Sequence, residues 1–249
     1  VARGYRVIRF DNRDCGLSTH FSDAPVPDLR ALQNGQPVTL PYTLDDLVAD
    51  SVGLLDALGI KQANVAGASM GGAIAQLAAA NYPERVISLT SIMSSSGNPA
   101  LPAPTPAAAT ALFAPLPRQR DRESIVADSI TRYETLESPA YPTDRGRLRQ
   151  LFADEYERNF DPRGVARQLA ALIANGDRRS LLQTITAPSV VLHGAADQLI
   201  PLACGEDVAR NIPNAELRII DGMGHDFPVA LSQVIGDAIC AAAHRAGQR

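Results

Sequence analysis

The chain has 249 residues, 45% of them hydrophobic, enough for one sizeable core or a core with a smaller insertion. Lys and Arg number 23 against 27 Asp and Glu, a formal net charge of −4 without basic excess, which argues against a nucleic-acid partner. No apolar run approaches the length of a membrane span. Three widely spaced cysteines, Cys15, Cys204 and Cys240, read as reduced, packed thiols rather than a disulfide framework or a zinc site.

The first residues, VARGYRVIRFD, carry no signal-peptide pattern, but the chain starts with Val1 rather than Met, so the original N-terminus is not expected to be in view; the cytoplasm is the expected location. Residues 7–10 (VIRF) read as a short buried strand ending at Asp11. The stretch YTLDDLVADSVGLLDALGI reads as a helix: Thr43 and Asp46 make a capping box, the leucines recur at helical spacing, and Gly59 is a stop. NVAGAS is a strand and turn. A second helix follows from Met70 and ends near Tyr82-Pro83. RVISLTSIM, SVVLHG and ELRIID are further strands, and a last helix falls between Val229 and Arg245. Strands alternating with helices predict an α/β fold, a mostly parallel sheet covered on both faces.

Residues 98–187 break that rhythm, with no strand pattern. NPALPAPTPAAATALFAPLP opens the segment and resists regular structure. DRESIVADSITRYETL and GRLRQLFADEYERNF carry charged helical patterns, and GVARQLAALIANGD reads as an amphipathic helix stopped by Gly176. The segment alternates apolar and basic residues: Leu112, Phe113 and Leu116 beside Arg118, Arg120 and Arg122. An all-helical insertion between strands of a parallel sheet is expected over the strand ends, where ligands bind. The expected organisation is a core in two parts, 1–97 and 188–249, with a helical cap at 98–187.

Gly67-Ala68-Ser69-Met70-Gly71 fits G-x-S-x-G between a strand and a helix. Small residues on either side let strand and helix approach, and the turn aims the Met70 backbone N–H at whatever reacts with Ser69. The plainer alternative is a serine that caps the helix. A serine nucleophile needs a base, and the base needs an orienting acid. Of four histidines, His20 follows a loop near the first strand, His193 sits at a strand end, and His244 lies at the end of the terminal helix. His225, in the Gly-rich loop DGMGHDFP after the last strand, is the best base. Asp197, in AADQLIP after SVVLHG, is the best acid; Asp226 and Asp221 are weaker rivals. The chain order is Ser69, Asp197, His225. SIMSSSG ends the strand after the nucleophile helix and reads as a polar turn; Met93 reads as core.

The chain resembles the α/β-hydrolase-fold serine hydrolases, and more narrowly the group of the aclacinomycin methylesterases. RVIRFDNRDCGLST, YTLDDLVADSVGLLDALGI, GASMGGAIAQ, HGAADQLIPL and GMGHDFP carry the resemblance over nearly the whole chain. It implies the fold, the triad, a helical cap, a small-molecule ester substrate, and no cofactor or metal. Lactonases, C–C bond hydrolases and cofactor-free haloperoxidase-like perhydrolases share the same triad, and a non-catalytic hydrolase-fold binding protein is the alternative from another class. The resemblance also implies that DNRDCGLS lies near the active-site side, where Arg13 is expected to pair with carboxylates rather than bind substrate. It further implies a strand and loop upstream of RVIRFD that supply a second oxyanion donor beside Met70. Six residues precede Val7. N-terminal strands are therefore expected to be missing from this sequence, together with that donor, leaving a gap in the sheet between RVIRF and NVAGAS.

Overall fold

In the computed structural model, residues 3–113 and 121–247 are described. After a short helix α1 (Leu29–Gln33), α2 (Leu44–Ala57) starts in a closed capping box. Thr43 N donates to Asp46 Oδ2 at 2.7 Å and Asp46 N to Thr43 Oγ1 at 3.4 Å. These bonds satisfy donors that a helix start otherwise leaves orphaned. Leu44, Leu47 and Val48 are buried on its inner face. Gly59, at φ 65°, turns the chain out of the helix through a left-handed conformation that costs a glycine little.

The sheet follows: β1 (Ala63–Ala68), α3 (Met70–Asn81) and β2 (Val86–Ile92), then β3 (Ser189–Gly194) and β4 (Glu216–Ile220) after the insertion. The order is β1-β2-β3-β4 and all three pairings are parallel, Val65 against Leu89, Val191 against Ser91, and Leu192 against Arg218. β3 is buried at all six residues and β2 at six of seven, as central parallel strands covered on both faces must be. The two-residue period divides them between two cores. Leu89 and Val191 pack with α2 and α3 on one face. Ile92, Val190 and Leu192 pack with Ala238 and Ala242 of α10 (Ser232–Ala246) on the other. Helix α9 (Leu202–Asn211) links β3 to β4. No described helix is long and apolar enough to cross a membrane.

Between β2 and β3 run α4 (Pro106–Phe113), α5 (Arg122–Leu136), α6 (Arg145–Arg158), α7 (Pro162–Asn175) and α8 (Arg179–Leu182). Asp121, Asp144 and Asp161 cap α5, α6 and α7, each accepting from the backbone three residues on. Leu116, Arg118 and Arg120 lie outside the described residues; Arg122 pairs with Glu157 of α6.

Three sequence expectations need correction. Residues 7–10 form no strand: they join no ladder, and Val7 and Phe10 are 58% and 48% exposed. A β-branched run becomes a strand only where a neighbour takes up its backbone groups, and among the described residues β1 pairs on one side only, with β2. The Pro/Ala-rich stretch does contain a helix, α4, because Pro106 occupies the first turn, where its missing N–H costs nothing, and alanines follow. Finally, all three cysteines are free, but only Cys204 is buried; Cys15 is exposed and Cys240 half-buried.

Candidate active site

Ser69 occupies the turn between β1 and α3 at φ 53° and ψ −119°, a conformation rare outside glycine and of order 1–3 kcal/mol in cost. Its N–H donates to Ile92 O at 2.9 Å, and Ser94 Oγ donates to Ser69 O at 2.8 Å. Although it stands at the helix N-cap, its side chain makes no capping bond, which removes the plainer reading of this serine. A Cβ on Gly67 would fall 1.9 Å from Gly71 O, so only glycine lets β1 and α3 approach this closely. Gly71 itself has nothing within 4 Å of its missing Cβ. The second crowded glycine is instead Gly72, against Ser94. Met70 is the first residue of α3, where backbone N–H groups lack intrahelical acceptors and point at the strand end.

His225 and Asp197 come to the same place from the loops after β4 and β3. His225 Nε2 is 3.0 Å from Ser69 Oγ, and His225 Nδ1 is 2.8 Å from Asp197 Oδ2. With the Nδ1 hydrogen donated to the carboxylate, Nε2 presents its lone pair to the serine hydroxyl. Asp197 is fully buried at its side chain, yet not short of donors. Its Oδ1 accepts from Leu199 N at 2.9 Å and Ile200 N at 2.8 Å, so the loop that carries the acid also fixes its orientation.

None of the other histidines is bonded to Ser69, although His193 Nε2 lies 3.7 Å from Asp197 Oδ2. His193 is buried in β3; its Nε2 donates to Ile200 O at 2.8 Å, and burial lowers its pKa, keeping the ring neutral. His244 is exposed on α10. His20 bonds Asp161 at 2.8 Å. Asp14, His20 and Asp161 bring donor atoms within 4.8 Å of one another. The Arg167 guanidinium already occupies the place of a cation there, bonded to both Asp14 oxygens at 2.7 and 2.9 Å. The cluster is an ion-pair knot. Arg13 likewise pairs with Asp50, at 2.6 and 2.7 Å.

Sequence reasoning missed how the histidine loop is held. His225 N donates to Leu136 O at 2.8 Å, and Gly224 N to Ser138 Oγ at 2.8 Å. Asp226, buried and facing away from its neighbour's ring, accepts from Tyr133 Oη at 2.8 Å, from Ser138 N at 3.1 Å, and from the Ser138 hydroxyl. These partners sit on α5 and just beyond it, about ninety residues upstream, and no local pattern marks them. A cavity of about 180 Å³ opens at Ser69 and Met70 and is walled by Ala73, Leu172, Ile173 and Ile200.

A parallel sheet whose sharp strand-to-helix turn presents a serine, with acid and histidine following in that chain order, defines the α/β hydrolases. The chain belongs to the alpha/beta hydrolase fold family, whose profile matches residues 1–229. It is 28% identical to the rhodomycin D methylesterase DnrP of Streptomyces peucetius, over 97% of this chain and 82% of that protein. It is 32% identical to a 2-hydroxy-6-oxononadienedioate/2-hydroxy-6-oxononatrienedioate hydrolase of Burkholderia vietnamiensis, over 70% of this chain and 59% of that one. Among solved structures, a hydrolase from Pseudomonas aeruginosa PA01 superposes with a TM-score of 0.69 at 26% identity, covering 96% of this chain and 80% of that chain.

Proposed function

We propose that the protein is a serine hydrolase that cleaves a small carboxylic ester through an acyl-enzyme, without cofactor or metal. The observation that carries this reading is the unbroken contact from Asp197 through His225 to a strained, uncapped Ser69. Ser69 Oγ attacks the ester carbonyl while His225 Nε2 takes its proton. Asp197 holds the tautomer and stabilises the imidazolium. The Met70 amide donates to the oxyanion. The imidazolium protonates the departing alcohol, and His225 then activates the water that releases the acid. Similarity to a methylesterase along nearly the whole chain favours an ester.

We further propose that residues 98–187 act as a cap. Leu172 and Ile173 of α7 form one wall of the Ser69 cavity, where excluding water strengthens every electrostatic interaction with the reacting carbonyl. Exchanging this segment for that of a relative should move substrate preference.

The test is a screen of methyl esters, p-nitrophenyl esters, lactones and β-diketones, with a fluorophosphonate label read by mass spectrometry. Ester turnover and a label on Ser69 are expected, both lost in Ser69→Ala. A second reading, C–C bond hydrolysis with the same three residues, draws on the relative that acts on dienedioates. It predicts turnover of the β-diketones and not of the esters. Absence of both label and turnover would leave a binding protein.

A further inference from the structure

Arg178 sits between α7 and α8 and lines the same cavity as Ser69 and Met70. The residue is 3% exposed. Burial pushes its pKa down to about 10, with nearby Asp177 acting the other way, so it remains a cation at neutral pH. A buried cation ordinarily has a carboxylate against it, because leaving its charge uncompensated is costly.

The chain follows that rule elsewhere. Arg167, equally buried, is gripped by both oxygens of Asp14. Arg178 has only neutral acceptors: Ser95 O at 2.6 Å, Asn175 Oδ1 at 3.0 Å, Gly176 O at 3.2 Å and Gln76 Oε1 at 3.4 Å. Its one acidic sequence neighbour is taken, since Asp177 pairs with Arg179 at 2.7 Å. A guanidinium carries five N–H donors. Four are used, and one Nη2 hydrogen has no acceptor among the described residues. Arg178 is also the one charged residue among the described residues that line the cavity, whose other walls include the apolar Leu172, Ile173 and Ile200 and the neutral Ser94 and Ser95. An anion entering here would meet a desolvated cation with one free Nη2 hydrogen, pinned in place by its bonds to Ser95 O and Gly176 O.

We infer that the cavity takes an ester that itself carries a carboxylate, and that Arg178 holds this carboxylate while the ester carbonyl lies at Ser69. This deepens the ester-hydrolase reading and rests on it for the reaction, but the anion site can be tested without turnover. Ser69→Ala protein is titrated by calorimetry, at neutral pH and constant salt, with monomethyl succinate, glutarate and adipate and with the matching neutral dimethyl esters. At least one half ester should bind about 10-fold or more tightly than its diester, the scale of a hydrogen bond to a charged partner. Adding Arg178→Met should bring that ratio to about one, and Arg178→Lys, which keeps the charge but not the planar group held by Ser95, Asn175 and Gly176, should leave it between the two. Equal binding of half ester and diester, no saturable half-ester binding, or a preference that survives in folded Arg178→Met protein each overturns the inference. Should the Arg178 variants fail to fold, the half-ester preference in the Ser69→Ala protein still decides. Turnover of the esters by the wild-type protein is scored separately: its absence beside a half-ester preference would sink the ester-hydrolase reading and keep the anion site.

Discussion

Asp14 and Arg167, 153 residues apart in the chain, form a fully buried two-pronged ion pair that ties the loop after residues 7–10 to helix α7. Burial opposes ionisation of Asp14, but the Arg167 guanidinium, the Phe21 amide and the Tyr42 hydroxyl outweigh it and hold the acid at about 2. Tyr42 is pushed well above the usual phenol range by burial and by that same carboxylate. The contact joins two parts of the molecule that the sheet does not join, since α7 lies in the insertion between β2 and β3.

Breaking one side of this pair should be costly, because it strands a buried charge. Arg167→Met or Asp14→Asn is expected to lower unfolding free energy by about 3–5 kcal/mol. The Asp14→Leu/Arg167→Met double variant should cost less than the two single losses combined. Denaturant unfolding of the four proteins measures this, and a single-variant loss below about 1 kcal/mol would mean the pair is not a structural tie.

A second tie beside it should respond to pH. Its bonds to Asp161 and to the Gly16 carbonyl raise the His20 pKa. Folding therefore favours the protonated ring. That contribution is full below the ordinary imidazole value of about 6.5 and is lost as pH rises through the raised folded value. Burial works against the charge of Asp161, but the Gly164 amide and His20 lower its pKa all the same. Its contribution is present above about 3.9 and fades as pH falls through the lowered folded value. Between about pH 6 and 8, Tm of the wild-type protein should fall relative to that of His20→Gln. Parallel Tm curves for the two proteins would show that the pair adds nothing.

The two glycines of G-x-S-x-G should behave differently. Gly67→Ala places a methyl group 1.9 Å from a backbone carbonyl and should prevent normal folding or shift the elbow. Gly71→Ala meets nothing within 4 Å and should fold with unchanged or higher stability, since alanine exceeds glycine in a helix by up to about 1 kcal/mol. Thermal melts of the two variants decide it; equal damage would place the crowding elsewhere.

Much of this molecule is legible from local pattern because its determinants are local. β2 and β3 are recognisable as apolar, β-branched runs since both faces are covered. Ser69, Asp197 and His225 lie in Gly- or Pro-marked loops following β1, β3 and β4, where a parallel sheet gathers side chains. What escapes a local reading depends on distant partners. Residues 7–10 have strand composition but no neighbouring strand. The Asp14–Arg167 pair spans most of the chain, and nothing near Asp226 in sequence announces Tyr133 or Ser138. Gly71 looks as constrained as Gly67 until the helix direction is known, because only one of them faces backbone.

Asp197 and Asp226 flank the question of which acid serves His225, and the two should separate by about two orders of magnitude. Asp197 Oδ2 touches His225 Nδ1, so Asp197→Asn should leave the geometry nearly intact but favour the wrong tautomer, lowering kcat by about 10⁴. Asp226 never touches the ring. It anchors the loop to Ser138 and Tyr133, so under the proposed mechanism it would act on the chemistry through the position of His225. Asp226→Asn keeps an acceptor for those donors and should cost little. Asp226→Ala removes it, loosens the loop by a fraction of an ångström, and should lower kcat by about 10²-fold with a fall in Tm. A purely structural acid would lower Tm in both Asp226 variants in proportion to activity. A positioning acid should instead show rescue by asparagine, an effect on kcat larger than on KM, and an unchanged pH profile. If Asp226→Asn loses as much kcat as Asp197→Asn, the acid has been assigned to the wrong aspartate.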